Sequence, residues 1–148
     1  MNHIVLVTDI KFWEASYGSH SRIRQLIHQL ASRYRLSVFL LRSASTEALQ
    51  GWNKMNLPSN ARLVSYKEYS GRPADYKRNL SKHSYFKNRE TIDFTAALYW
   101  FLQATKADAV IFEYLKLAYM KDACPEGMTT VLDMHDVMSA RTVSLKQA

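Results

Sequence analysis

Apolar residues in this chain fall in short unbroken runs, separated by stretches with helical spacing. His3 to Thr8 is such a run, with Ile4, Val5, Leu6 and Val7 at its centre. So short and β-branched a run predicts a strand buried on both faces. A loop from Asp9 to Gly18 holds Phe12, Trp13 and Tyr17. Ser19 or Ser21 is placed to cap the next helix, which runs to about Tyr34. Ile23, Leu26, Ile27 and Leu30 recur there at i, i+3, i+4 and i+7, one face of a helix. Leu36 to Leu41 predicts the second strand and Thr46 to about Met55 a short helix or turn, and Pro58 interrupts regular structure beyond it. Arg62 to Tyr66 predicts the third strand.

From Lys67 to Glu90 no period is visible. Lys67, Arg72, Lys77, Arg78, Lys82, Lys87 and Arg89 are interleaved with Tyr69, Tyr76, Tyr85 and Phe86, and Gly71 and Pro73 break regular structure. The expectation is a long, partly mobile loop, most irregular from Gly71 to Arg89, that contacts an acceptor or a membrane; a nucleic-acid backbone with stacked bases is an alternative, and a solvated face the simpler one. Thr91 then caps a helix to about Thr105, with Phe94, Ala97, Leu98, Phe101 and Leu102 on one face. Ala109 to Phe112 predicts a fourth strand, Leu115 to Asp122 a short helix, Cys124 to Gly127 a turn and Thr129 to Asp133 a fifth strand. Strands that alternate with helices predict an α/β fold. Its sheet is parallel, doubly wound and Rossmann-like, with both faces covered.

The 148 residues fit one domain, and 47% apolar with 22% charged residues is the composition of a globular protein. A single cysteine, Cys124, excludes an internal disulfide framework and favours a reducing, cytoplasmic setting. The opening strand lacks the basic-then-apolar design of a signal peptide, and no apolar run reaches membrane-spanning length. A formal charge of +7 favours anionic partners: nucleotide-sugars, lipid phosphates, acidic membrane faces or nucleic acid; charge alone does not choose among them, and a surface that is merely basic is the simpler alternative.

Candidate chemistry gathers where strands end. Gly18 opens the first helix, where free N–H groups and a positive dipole end suit a phosphate or sugar oxygen, and Arg22 adds charge. The spacing is that of neither the dinucleotide fingerprint nor the P-loop, and an ordinary turn glycine is the simpler alternative. Glu113 ends the fourth strand, where a carboxylate at the rim of a crevice can accept hydroxyl hydrogen bonds. Its alternative is a capping or salt-bridging role. Asp133, His135 and Asp136 close the fifth strand, and alternation puts Asp133 and His135 on one face and Asp136 on the other. No second His at helical spacing and no Cys pair supports a metal there. Cys124, in a turn beside Pro125, makes a poor nucleophilic partner for His135. A response-regulator receiver needs an acidic pair after the first strand, where Asp9 stands alone, and an Asp after the third, where Tyr66 and Lys67 stand.

Taken in order, these segments resemble the N-terminal half of a GT-B glycosyltransferase of the large retaining family called family four. The resemblance rests on the strand, Gly18 loop and helix with Arg22 and Leu26; on Tyr34-Arg35-Leu36-Ser37-Val38; on Ala107 to Leu115 with its Glu113-Tyr114 pair; and on Val131 to Arg141 with its His135-Asp136 pair. It implies that residues 1–148 are the acceptor-side domain. A C-terminal donor-binding domain with the Glu-x7-Glu motif would lie outside this chain. The family's first loop carries a glycine pair where this chain has Gly18 alone. The resemblance further implies that His135 is catalytic, near the transferred sugar. Gly18, Arg22, Glu113, Asp136 and Arg141 would serve substrate binding. It implies retaining transfer from a nucleotide-sugar to a glycan or lipid-linked acceptor in surface-polysaccharide synthesis. No metal or cofactor is implied, since helix dipoles and basic groups can stabilise a leaving diphosphate. The expected partners are the donor, held mainly by the other domain, the acceptor, and an anionic inner membrane face met peripherally; nucleic acid is not expected. The alternative is a non-catalytic Rossmann-like module that binds an anionic partner.

Overall fold

The computed structural model describes residues 2–72 and 89–133. The elements are β1 (His3–Thr8), α1 (Gly18–Ala31), β2 (Arg35–Leu40), α2 (Thr46–Lys54), β3 (Ala61–Ser65), α3 (Arg89–Thr105), β4 (Ala109–Glu113) and β5 (Thr129–Asp133). Two 3-10 segments, Tyr66–Tyr69 and Leu115–Ala123, come after β3 and β4. The five strands form one parallel sheet in the order β3-β2-β1-β4-β5. The predicted α/β class and parallel pairing hold.

The order has a switch point. From β1 the chain winds outward through β2 to β3, then crosses back to place β4 on the other side of β1. Crossovers of one hand must therefore put the later helix on the opposite face. The packing obeys this logic. Ile4, Leu6, Leu36 and Val38 point to the layer of α1, where Ile23, Ile27 and Ala31 are buried, and Trp52 of α2 packs there too. Val5, Val7, Phe39 and Val64 point the other way, onto Ala97, Leu98, Phe101 and Leu102 of α3 and Met120 of the second 3-10 segment. Every residue of β1 is buried, as a strand sandwiched between two helical layers requires. Each fully buried Leu, Ile or Phe contributes roughly 1.5–3 kcal/mol, so the two layers supply most of the favourable term.

Element ends differ from the sequence expectation in instructive ways. Ser19 and Ser21 lie inside α1 and do not cap it. The cap is Tyr17, in extended backbone, and its N–H donates to Nδ1 of His20 at 3.3 Å. His20 thus does from the third helical position what Glu or Gln does in a capping box. At the other end α1 stops at Ala31 rather than Tyr34, because Asn60 Nδ2 donates to the Ala31 and Tyr34 carbonyls at 2.9 and 2.6 Å. Tyr66 does not extend β3. The Ser65 hydroxyl accepts from the Lys67 N–H at 3.2 Å and donates to the Arg42 carbonyl at 2.6 Å, which turns the chain. Thr91 lies within α3, its carbonyl accepting from the Thr95 hydroxyl at 2.8 Å. The turn after Cys124 is present, with Gly127 at φ 85° and its closing bond from Met128 N–H to the Pro125 carbonyl. Most of the basic-aromatic loop, residues 73–88, lies outside the described residues. Among the described residues no helix is long and apolar enough to cross a membrane.

Candidate functional site

The carboxyl ends of β1 and β4 flank the switch point, where open parallel sheets leave a crevice. Thr8 ends β1 and Glu113 ends β4, and register pairs Val7 with Phe112, so the two polar residues are neighbours. Alternation along β4 sends Ala109, Ile111 and Glu113 toward the α1 layer. Glu113 is therefore not at the rim of the crevice, as expected, but beneath it, with no exposed surface. Arg22, on the second turn of α1, is near enough to act on its charge.

That burial sets its chemistry. Desolvation pushes the Glu113 carboxyl up to about 8. The Thr8 hydroxyl hydrogen-bonds the carboxylate and pulls the other way, Asp133 and Asp9 raise it further, and Arg22 lowers it. At neutral pH Glu113 is mostly the protonated acid, able to donate a hydrogen bond as well as accept one. Around it, the strand ends and α1 supply an outer ring of charge. Arg22 reaches Asp133 at 3.5 Å and Lys116 reaches Asp9 at 2.8 Å. Both cations are more than half exposed, at 54% and 61%, so they remain available to a ligand.

Tyr114 comes directly after Glu113 with φ 73° and ψ 145°, a region that residues with a Cβ avoid. Its N–H donates to the Asp133 carbonyl at 2.9 Å, which holds β4 against β5 in spite of the strain. Burial raises the Tyr114 phenol, the Glu113 charge adds to this, and the Ser19 side chain hydrogen-bonds it. Such strain persists only where surroundings over-determine it, and it concentrates at functional sites.

Gly18 is the first residue of α1, and a Cβ built there meets nothing within 4 Å. Neither packing nor backbone conformation demands glycine at this position. The first turn holds no acidic side chain, so the positive end of α1 is left uncompensated locally. The loop before it is fixed. Phe12 is fully buried, and Arg24 Nη1 donates to its carbonyl at 2.7 Å.

The structure thus brings Arg22 and Glu113 to one end of the sheet with Gly18 opening the helix above them. His135, Asp136 and Arg141 lie outside the described residues. Sequence reasoning overlooked Thr8 and Lys116, and it named Tyr114 only as the neighbour of Glu113. The polar pair Thr8-Asp9 directly after an apolar strand was the signal for the first. Among the described residues no group of three His, Cys, Asp or Glu could hold a metal ion. Cys124 is half-buried, and burial pushes its thiol up to about 11, which leaves it a weak nucleophile. No family model matches the chain, and no curated protein matches it.

Proposed function

We propose that the chain is the acceptor-side domain of a retaining glycosyltransferase with GT-B architecture. It would act on the cytoplasmic side, moving a sugar from a nucleotide-sugar to a glycan or lipid-linked acceptor in surface-polysaccharide synthesis. One observation carries the reading: a buried acid, two exposed cations and a strained tyrosine converge at the switch point of a parallel sheet, near the N-terminus of α1. In this reading Arg22 and the α1 terminus draw the donor diphosphate. Glu113, protonated and without exposed surface, supports the polar floor of the cleft from within. His135, two residues past Asp133 in the sequence, is the catalytic candidate, with Asp136 and Arg141 on the substrate side. A facing domain grips the rest of the donor, because transfer needs both substrates held at near-attack distance.

The test is nucleotide release from a panel of sugar nucleotides. A polypeptide that joins this chain to a donor-binding domain should release nucleotide in the presence of acceptor. His135→Ala in it should lower kcat strongly with the melting temperature unchanged. The 148 residues alone should not turn over. Turnover by them overturns the half-enzyme reading. Unchanged kcat with a lowered melting temperature makes His135 structural.

A further inference from the structure

Beside the Glu113 site, at the carboxyl ends of β1 and β2, lies an open cavity of about 290 Å³ lined by Lys11, Trp13, Glu14, Arg42, Ser43 and Glu47. We propose that it is a subsite for one uncharged sugar ring, stacked on the indole of Trp13. The inference rests on the glycosyl-transfer reading only in making that ring part of the acceptor. The chemistry of the cavity carries the rest.

Size is the first argument. Drug-sized ligands occupy roughly 300–1,000 Å³, so this cavity stands at the floor of the range and suits a single ring better than a whole nucleotide-sugar. Charge is the second. Lys11 and Arg42 are balanced by Glu14 and Glu47, and Lys11 already lies 3.6 Å from Glu14. A phosphate entering here would meet two carboxylates along with the cations. A polyhydroxylated ring meets donors and acceptors in equal supply, the Ser43 hydroxyl serving as both. The indole face is electron-rich and attracts the weakly positive C–H face of a pyranose.

Preorganisation is the third argument. Trp13 is wedged in place: its Cβ sits where a Cβ on Gly51 would lie only 2.3 Å away. Its ring stands edge-on to Phe12, with centroids 5.0 Å apart and planes at 89°. The Arg42 guanidinium is fixed as well, Nε donating to the Asp9 carbonyl at 2.6 Å. A rigid aromatic plate and a tethered guanidinium lose little freedom when a ring docks. Asp9 also takes Lys116, so the Arg42 wall and the outer ring of the Glu113 site share one residue.

The chain carries tryptophans Trp13, Trp52 and Trp100, which lets one spectrum serve as its own control. With 15N-labelled chain, free glucose, galactose, mannose and N-acetylglucosamine are titrated while the indole N–H signals are monitored, and then uridine and inorganic phosphate. At least one hexose should move the Trp13 signal saturably in the millimolar range and leave Trp100, beside Tyr99 in the α3 layer, in place. In saturation-transfer experiments Trp13→Ala should weaken that hexose about tenfold or more, and Trp13→Phe, which keeps an aromatic plate, by less. Melting curves show that each variant is folded. A Trp13 signal that ignores every hexose overturns the proposal, and so does one that answers to uridine or phosphate in their place. Nucleotide release is read separately. Absent transfer with an intact Trp13 response sinks the functional reading alone, and transfer with a silent Trp13 sinks the subsite alone.

Discussion

Glu113 and Asp133 are register partners at the ends of β4 and β5, so two carboxyl groups share one face of the sheet. Their settings differ. Asp133 is part exposed and lies 3.5 Å from the Arg22 guanidinium, whereas Glu113 has no exposed surface. Burial makes the charged form of Glu113 costly, and the Asp133 charge adds to that cost, so the buried partner keeps its proton. This asymmetry makes the end of the sheet a proton-holding site at neutral pH.

Stability should therefore depend on pH in a stated direction. The folded chain holds the Glu113 proton up to about 8, and the unfolded chain releases it near the ordinary value of 4.5. Between those values the folded state binds more protons, so this group's contribution is complete below the lower value and is lost as pH rises through the upper one. The slope for one proton is at most about 1.4 kcal/mol per pH unit. Urea midpoints should fall from pH 5 to pH 8 in the wild type. Glu113→Gln, which mimics the protonated acid, should flatten the curve and be the more stable protein at pH 8. A wild-type curve that climbs across this window would contradict the burial argument.

Asp133→Asn separates charge from packing. Removing the outer carboxylate should lower the Glu113 midpoint, because Asp133 raises it. Stability itself should change by only about 0–1 kcal/mol, the usual worth of an ion pair with an exposed partner. Carboxyl carbon chemical shifts tracked through a pH titration read the midpoint directly. An unmoved Glu113 signal means that desolvation alone sets it.

How much of this was legible beforehand divides along physical lines. The strands were, since unbroken runs such as Ile4 to Val7 and Ala109 to Phe112 leave a chain few alternatives. Their ends moved by a residue or so because long-range side chains decide them. Asn60, far from α1 in sequence, fixes where that helix stops, and Ser65 ends β3 by binding the Arg42 carbonyl. Glu113 was found by its place after an apolar run, yet its burial was not. Period alone says which face a side chain takes, not what covers that face. The charged partners of the site come from three strand ends and a helix, a gathering visible only once the order β3-β2-β1-β4-β5 is known.

Tyr114→Gly should behave unlike an ordinary loss of a tyrosine. Removing the ring forfeits packing and the Ser19 hydrogen bond, but glycine occupies φ 73° without strain. Strain in this region is worth about 1–3 kcal/mol, enough to offset much of the lost packing. Thermal melting should place Tyr114→Gly within about 1 kcal/mol of wild type, and Tyr114→Ala, which loses the ring and keeps the strain, clearly below it. Equal losses in the two variants would show that the backbone there is relaxed.

The two helical glycines should answer oppositely to the same change. Glycine in a helix interior is worth roughly 0.5–1 kcal/mol less than alanine, so propensity alone predicts that both Gly18→Ala and Gly51→Ala stabilise. At Gly18, where the new methyl meets nothing within 4 Å, a small gain should appear, tempered by its place at the end of α1. At Gly51 the methyl would fall 2.3 Å from the Trp13 Cβ and 3.2 Å from its Cα, and that Cα is backbone and cannot swing aside. Either α2 shifts or the Trp13 loop does, and overpacking of this kind costs about 1–3 kcal/mol. Gly51→Ala should therefore destabilise, and it should also blunt the Trp13 response to sugars by displacing the indole. A double-mutant cycle identifies the contact. The loss in Gly51→Ala should shrink when position 13 is also made glycine, because the 2.3 Å contact is then gone and only the 3.2 Å approach to the Cα is left. If Gly51→Ala instead raises the melting temperature as Gly18→Ala does, the wedge that holds Trp13 does not exist, and the preorganised plate proposed for the sugar ring loses its support.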